Sequence, residues 1–124
     1  MLIPTLKPGE VILPWPPKDL NPNARVHWSK RAKAAKAYRK LCWGLCKEAK
    51  LSAPPTPGKL HLWLSFYPPD KRNRDDDNII ASFKSGRDGI ADALGMDDSR
   101  FVCHPMVMLG VRGHVLVRLT EGPR

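Results

Sequence analysis

The stretch Lys59-Leu-His-Leu-Trp-Leu-Ser-Phe-Tyr67 decides the fold of this chain. Apolar side chains at every second position alternate with polar or mixed ones, and the apolar set is Leu60, Leu62, Leu64 and Phe66. This period of two is typical of a strand with one buried face. Pro68 and Pro69 follow at once and end the strand, because proline cannot donate a hydrogen bond to a neighbouring strand.

Hydrophobic periodicity on either side of this strand predicts two helices and three more strands. The first helix is predicted to begin after Ser29, its N-cap, and to end at about Lys50. The second helix is predicted to begin at Asp77 or Asn78 and to end at about Leu94. The three further strands cover residues 10–15, 100–109 and 113–120. The first strand is stopped by prolines, which belong at a sheet edge or at the end of a strand. Gly110–Gly113 is predicted to join the last two strands as a hairpin. The whole chain, 1–124, is predicted to be a single α+β domain with a small mixed sheet of about four strands and two main helices packed on one face.

The charge balance points to a polyanionic partner. Lysine and arginine number 21 against 12 acids, which gives a formal net charge of +9. No apolar run approaches the ~18 residues that would span a bilayer, and Met1–Lys7 lacks the basic-then-apolar order of a signal peptide. We therefore expect a cytoplasmic protein that meets nucleic acid and not a membrane.

The first predicted helix has an apolar side and a basic side. The apolar positions are Ala34, Tyr38, Leu41, Cys42, Leu45 and Ala49, and the basic ones are Lys33, Lys36, Lys40 and Lys47. Because Glu48 is the only acid in this helix, the basic side is interpreted as a surface that faces phosphate, with a solvated face as the alternative. Cys42 and Cys46 are interpreted as core thiols, and zinc binding together with Cys103 and His104 is the weaker alternative.

The acids of this basic chain are concentrated in two short clusters. Seven of the twelve belong to them: Asp70, Asp75, Asp76, Asp77, Asp92, Asp97 and Asp98. Clustered carboxylates repel one another, so a divalent cation or basic neighbours should compensate them. Carboxylate oxygens suit Mg²⁺, which takes few protein carboxylates and often substrate phosphates as well. On a basic protein this pattern indicates metal-assisted cutting of nucleic acid, and a solvated Asp-rich turn is the alternative.

Asp75 and Asp77 are the first candidate ligands, because residues two apart in an extended chain point to the same side while Asp76 points away. Their position at a helix N-terminus also has a non-catalytic explanation in the helix dipole. An EF-hand loop is excluded, since Ile79, Ile80 and Gly86 stand where its ligands and glycine would be. Asp97 and Asp98 follow the same helix and could return to the cluster.

Two cations of the second helix are candidates for the same site. Lys84 shares a stripe with Asp77, so its ammonium could approach the carboxylates; the alternative is an i,i+4 pair with Asp88. Arg87 lies inside the apolar arc, where it would either reach past the core to solvent or face acids or phosphate.

At these residues the chain resembles the RusA family of Holliday junction resolvases, over nearly its whole length. The resemblance rests on three segments: Leu13-Pro-Trp-Pro-Pro17 with Asn23 following, Arg72-Asn-Arg-Asp-Asp-Asp-Asn78, and Asp88-Gly-Ile-Ala-Asp-Ala-Leu-Gly95 leading into Asp97-Asp98. It implies a small homodimeric, Mg²⁺-dependent endonuclease of recombination and repair, often encoded by phages or prophages, that acts on four-way DNA junctions.

The resemblance also implies roles for single residues. The family's D-x-D-N motif falls on Asp75, Asp77 and Asn78, and its third catalytic acid falls on Asp98, with Asp97 as the alternative. The family's catalytic lysine falls on Ala81, so Lys84 would have to take that role from the next turn. Three arginines complete the DNA-binding candidates: Arg72, Arg74 and Arg87. A nucleic-acid-binding protein without chemistry and a Mg²⁺-dependent nuclease of RNA or simple duplexes remain as alternatives.

Overall fold

The computed structural model describes residues 9–122; Met1–Lys7, which the sequence predicts not to be a signal peptide, lies outside them. The strands are β1 Glu10–Pro14, β2 Leu60–Tyr67, β3 Phe101–Val107 and β4 His114–Thr120, and the helices are α1 Trp28–Glu48, α2 Asp76–Ser82 and α3 Lys84–Leu94. Short 3₁₀ helices cover Lys18–Leu20 and Asp98–Arg100. The α+β class predicted from sequence is confirmed.

The strands form one mixed sheet in the order β1-β4-β2-β3. β4 is antiparallel to both β1 and β2, whereas β3 is parallel to β2, with Leu60 opposite Phe101 and Phe66 opposite Val107. The predicted hairpin of the last two strands is therefore wrong, because β2 lies between β3 and β4. A parallel pair needs a crossover connection, and α2 with α3 provides it between β2 and β3.

The core lies between one face of the sheet and the helices. The strands contribute the alternating apolar residues of β2, as predicted, together with Val11, Leu13, Val115, Val117 and Leu119. The helices contribute Tyr38, Cys42, Cys46, Ile79, Phe83 and Ile90. The opposite face of the sheet is half-exposed, and there the Trp63 ring stacks on His104 at 4.0 Å while Arg118 lies over the same ring. Both helical regions thus belong to one face, as predicted.

Helix α1 begins slightly earlier than the sequence predicts. Its N-cap is His27, whose Nδ1 accepts a hydrogen bond from the Ser29 amide at 3.2 Å, so the prediction of Ser29 as N-cap is wrong. Cys42 and Cys46 lie in the core, which confirms the interpretation of both as core thiols. Leu41, however, is 48% exposed, because it is turned about 100° from Cys42 on the helix. Among residues 9–122, no helix combines the length and the apolar character that crossing a membrane requires.

The second predicted helix is divided at Phe83. This residue has φ −90° and ψ 0°, ends α2 and begins α3, and is buried against the rings of Phe66 and Tyr38. The glycines that weaken the helix prediction have a packing role. A Cβ on Gly89 would lie 2.4 Å from the carbonyl oxygen of Arg39, so glycine at this position allows α3 to pack closely on α1.

Candidate functional site

Several acids of the two clusters are compensated by basic neighbours. Asp70 accepts a hydrogen bond from the Arg74 guanidinium at 2.8 Å, and this bond, with a second from the Arg72 amide, lowers the pKa of Asp70 to about 2. Arg39 of α1 donates two hydrogen bonds to Asp92 of α3, at 2.7 and 2.9 Å, which lowers the pKa of that carboxyl. These acids hold the loop and the helix pair in place.

The acids at the start of α2 have a different environment. Asp75 is the N-cap, and its Oδ1 accepts a hydrogen bond from the Asp77 amide at 2.9 Å. Asp76 and Asp77 are already helical, so the extended geometry predicted for these residues is wrong. Within residues 9–122 neither the Asp76 nor the Asp77 carboxylate has a hydrogen-bond or ion-pair partner, and both residues are exposed. The helix dipole favours their charge, as the non-catalytic explanation expects.

Asp75 lines an open groove of about 490 Å³ that we call the loop groove. Its lining is polar and cationic and includes Lys18, Asn21, Asn23, Arg72, Asn73, Arg74, Asp75 and Asn78. One wall is the segment before α1, which Arg31 of that helix holds by donating to the carbonyl oxygens of Asn21 and Ala24 at 3.0 and 2.8 Å. Sequence reasoning did not select Lys18, Asn21 or Arg31; the only signal was the asparagine-proline composition of this segment.

The two predicted DNA-binding arginines of this loop differ in exposure. The Arg74 side chain is only 18% exposed, is paired with Asp70, and lies 5.8 Å from the centre of the Trp15 ring. The Arg72 side chain is 80% exposed. Arg74 therefore positions the loop, whereas Arg72 lies 3.7 Å from Asp70 through its Nε and leaves most of its side chain exposed.

The second acidic cluster returns to the first turn of α3. Asp98 Oδ2 lies 3.3 Å from the Arg87 guanidinium and 3.6 Å from Lys84 Nζ, which is also 3.3 Å from Asp88 Oδ1. Lys84 thus forms the predicted i,i+4 pair with Asp88 and also approaches Asp98, a candidate catalytic acid. Arg87 faces the same acid, Asp98. Asp97 instead caps the 3₁₀ helix by accepting a hydrogen bond from the Ser99 amide, which lowers its pKa.

The predicted ligands lie in two places. Because β2 and β3 are parallel, the loop that leaves β2 and the turn that enters β3 lie at opposite ends of these strands. Asp75 lines the loop groove, whereas Asp98 lines a small polar groove of about 190 Å³ with Asp88, Asp92, Asp97 and Arg39. In residues 9–122 no three histidine, cysteine or acidic side chains are grouped so that they could hold a metal ion.

The donor chemistry at the start of α2 nevertheless suits a hard cation. Asp77 offers a carboxylate without a protein partner in the described part of the chain, and Asp75 has one oxygen outside its capping hydrogen bond. Carboxylate oxygens are preferred ligands of Mg²⁺. The residues present therefore fit magnesium by their chemistry.

The basic side of α1 is exposed as a continuous surface. All four of its predicted lysines are exposed: Lys33, Lys36, Lys40 and Lys47. None of them forms an ion pair with an acid of residues 9–122. Their charges are thus available to a polyanion.

Comparison with known proteins shows a relative that is similar over most of the chain. A protein of Xylella fastidiosa (strain Temecula1), described as an uncharacterized protein, is 53% identical over 112 residues, which cover 87% of this chain and 73% of that protein. No family model matches the chain.

Proposed function

The chain belongs to the same family as this Xylella fastidiosa protein, and we propose that it is a Mg²⁺-dependent endodeoxyribonuclease that resolves four-way DNA junctions. One observation carries the proposal: Asp98 returns to α3 and lies 3.6 Å from Lys84 Nζ. The resemblance to the RusA resolvases selects Asp98 as a catalytic acid, whereas the family's catalytic lysine falls on Ala81, so Lys84 would take that role from the next turn. The exposed lysines of α1 support DNA as the substrate, because contacts of lysine and arginine with phosphate supply a large share of the affinity of proteins for DNA.

Each side chain has a distinct role in this proposal. By the resemblance, Asp75, Asp77 and Asp98 would hold Mg²⁺, which supplies Lewis-acid activation of the scissile phosphate when bound. Asp98 lies in a separate groove from Asp75, so it would have to move towards the start of α2 to share an ion with Asp75 and Asp77. Arg87 orients Asp98 through their contact at 3.3 Å. Lys84, whose side chain is 68% exposed, can turn from Asp98 to the phosphate and stabilise the negative charge that develops there.

The arginine and lysine surfaces bind the substrate. Arg72 lies at the rim of the loop groove beside Asp75 and would contact a phosphate near the cut. Lys33 and Lys36 would contact the duplex arms, since their ammonium groups are exposed on α1. A homodimer supplies the second active site, because resolving a junction requires incisions in two strands related by two-fold symmetry, and two-fold dimers are the commonest homo-oligomers.

The experiment measures cleavage of labelled junction, duplex and flap DNA, with and without Mg²⁺, by wild type and by Asp75→Asn and Asp77→Asn. We expect both variants to lose cleavage and to keep junction binding, because they remove negative charge from a surface that faces phosphate. Asparagine caps a helix about as well as aspartate does, so Asp75→Asn keeps the start of α2 intact. The matched control is Asp76→Asn, which we expect to cleave at close to the wild-type rate.

The results separate the alternatives. Near wild-type cleavage by Asp75→Asn or Asp77→Asn would remove that residue from the set of metal ligands. A wild-type protein that cuts RNA or simple duplex as readily as junctions would be a nuclease of broader substrate range.

A second candidate function is nucleic-acid binding without chemistry. It is favoured by the structural roles of two predicted ligands, since Asp75 caps α2 and Asp98 is ion-paired with Arg87. Strong junction binding by wild type with no cleavage under any divalent cation would establish this function instead.

A further inference from the structure

The most exposed aromatic side chain of residues 9–122 is that of the first residue of α1. Trp28 is 75% exposed, and the His27 ring lies beside it at 5.4 Å between ring centres. Within the described part of the chain, Trp28 belongs neither to the core nor to the side chains packed against it. Tryptophan rings usually dominate the energetics of a core or of an interface. Trp28 is therefore available to a ligand.

Trp28 lies beside the loop groove. It follows Ala24, a residue of the groove wall, by four positions. Arg31, three residues further along α1, donates hydrogen bonds to the carbonyl oxygens of Asn21 and Ala24 in that wall. Residues three apart on a helix are neighbours on its surface, and helical side chains lean towards the N-terminus. The Trp28 ring is thus on the side of α1 that meets the groove wall.

The loop groove offers hydrogen-bonding groups that the chain does not use. The side-chain amides of Asn23, Asn73 and Asn78 line it, and none of the three has a hydrogen-bond partner among residues 9–122. A side-chain amide presents a donor and an acceptor together, which suits the edge of a nucleobase. The groove volume of about 490 Å³ is also within the range of sites that hold small ligands.

The surroundings of Trp28 are cationic. Arg25, Lys30 and Lys33 are exposed and form no ion pair with an acid of the described chain, and the first turn of α1 contains no acid. Surfaces that bind unpaired nucleotides combine these features, because the bases stack on aromatic rings while cations contact the phosphates. The chemistry around Trp28 therefore fits an unpaired nucleotide.

We propose that Trp28 is a stacking platform for an unpaired base of DNA whose neighbouring nucleotide lies in the loop groove. The inference rests on the proposed function in taking DNA as the ligand, but it does not depend on cleavage. In a continuous duplex the bases are stacked on one another, so the platform is used only where pairing is interrupted, as at an opened branch point. Trp28 thereby determines a preference for branched DNA.

The test is the affinity for labelled DNA, measured by fluorescence anisotropy without Mg²⁺. One probe is a junction with unpaired adenines at its branch point, and the other is a continuous duplex. Trp28→Ala should lose about 5-fold to 150-fold in affinity for the junction, as expected for one stacked base, and less than about twofold for the duplex. The slope of log K against log salt should stay as in wild type, because no phosphate contact is removed.

Two further variants separate stacking from a structural effect. Trp28→Phe keeps an aromatic ring, so its affinity for the junction should stay within about threefold of wild type. Trp43→Ala is the matched control: Trp43 is 41% exposed and lies fifteen residues further along the same helix, about 22 Å along the axis. It should leave both affinities unchanged. Circular dichroism of each variant verifies that it is folded.

Equal losses of Trp28→Ala on both probes, or no loss on either, would overturn the stacking platform. A sedimentation coefficient of Trp28→Ala that differs from that of wild type would assign the ring to a subunit contact and overturn it as well. So would binding to phosphatidylserine vesicles that depends on Trp28 in place of a preference for branched DNA. A protein that prefers the junction through Trp28 but cuts no DNA would refute the nuclease chemistry alone, whereas a junction nuclease indifferent to Trp28→Ala would refute the platform alone.

Discussion

Replacing Gly89 by alanine tests the packing that positions α3 and, with it, Lys84 and Arg87. The added Cβ would lie 2.4 Å from the Arg39 carbonyl oxygen and 3.1 Å from the Trp43 amide nitrogen, both backbone atoms of α1. Backbone atoms cannot rotate away as a flexible side chain can. The two helices must therefore separate, or α3 must shift along α1.

The magnitude follows from two opposing effects. Overpacking in a closely packed core costs about 1–3 kcal/mol, and alanine gains back about 1 kcal/mol of helix propensity over glycine. Because the contact at 2.4 Å is far inside van der Waals distance, we place the cost at the upper end. The expected net loss is about 1–2 kcal/mol of unfolding free energy.

The assay is urea unfolding followed by circular dichroism, at a protein concentration where sedimentation shows wild type to be monomeric. With a urea dependence of about 1–3 kcal/mol per molar, the midpoint of Gly89→Ala should fall by about 1 M. Gly44→Ala is the control in the same helix pair, and it should raise the midpoint, since its Cβ meets no atom within 4 Å. A midpoint for Gly89→Ala equal to or above that of wild type would refute the close approach of α3 to α1.

Two further predictions concern titration and catalysis. Burial, with a smaller effect of Arg112, lowers the pKa of His114 below its ordinary value of 6.5, so the unfolded chain binds a proton there more readily than the folded one. Stability should therefore fall as the pH drops below about 6.5, and His114→Gln should flatten urea midpoints measured between pH 7.5 and 5. Lys84→Ala should slow junction cleavage by more than it weakens junction binding, because a cation beside the phosphate acts on the charge of the transition state. Equal losses in both quantities would reduce Lys84 to an ordinary phosphate contact.

The parts of the fold that depend on local pattern could be predicted from the sequence. The alternation of β2 gives its buried face directly, since Leu60, Leu62, Leu64 and Phe66 are all in the core. The pairing of strands could not be predicted in the same way. Residues 110–113 resemble a hairpin turn, but they connect β3 to a strand on the far side of β2. Strands that are neighbours in sequence, such as β3 and β4, are expected to pair. Here the crossover through α2 and α3 instead places β3 beside β2.

The helices show a second limit of sequence reasoning. Glycine is a weak helix former by its intrinsic preference, so Gly86 and Gly89 weaken the prediction of a helix here. The structure nevertheless requires both glycines, because a Cβ at either position would collide with neighbouring atoms. Cys46 is fully buried, in agreement with its interpretation as a core thiol, but Leu41, which is predicted to face the core, is exposed. Which side of α1 is buried depends on where α3 and the sheet lie. This is a feature of the tertiary structure, which the local sequence pattern does not contain.

The candidate site depends on the same tertiary features. A continuous helix would place Lys84, seven residues after Asp77, on the same stripe and about 10 Å along the axis. The break at Phe83 interrupts that stripe, and Lys84 instead pairs with Asp88 and approaches Asp98. Phe83 is held there by edge-to-face contacts with Phe66 at 5.5 Å and Tyr38 at 6.2 Å. The contact between Lys84 and Asp98 is therefore fixed by the packing of an aromatic residue in the core, which carries no chemistry of its own.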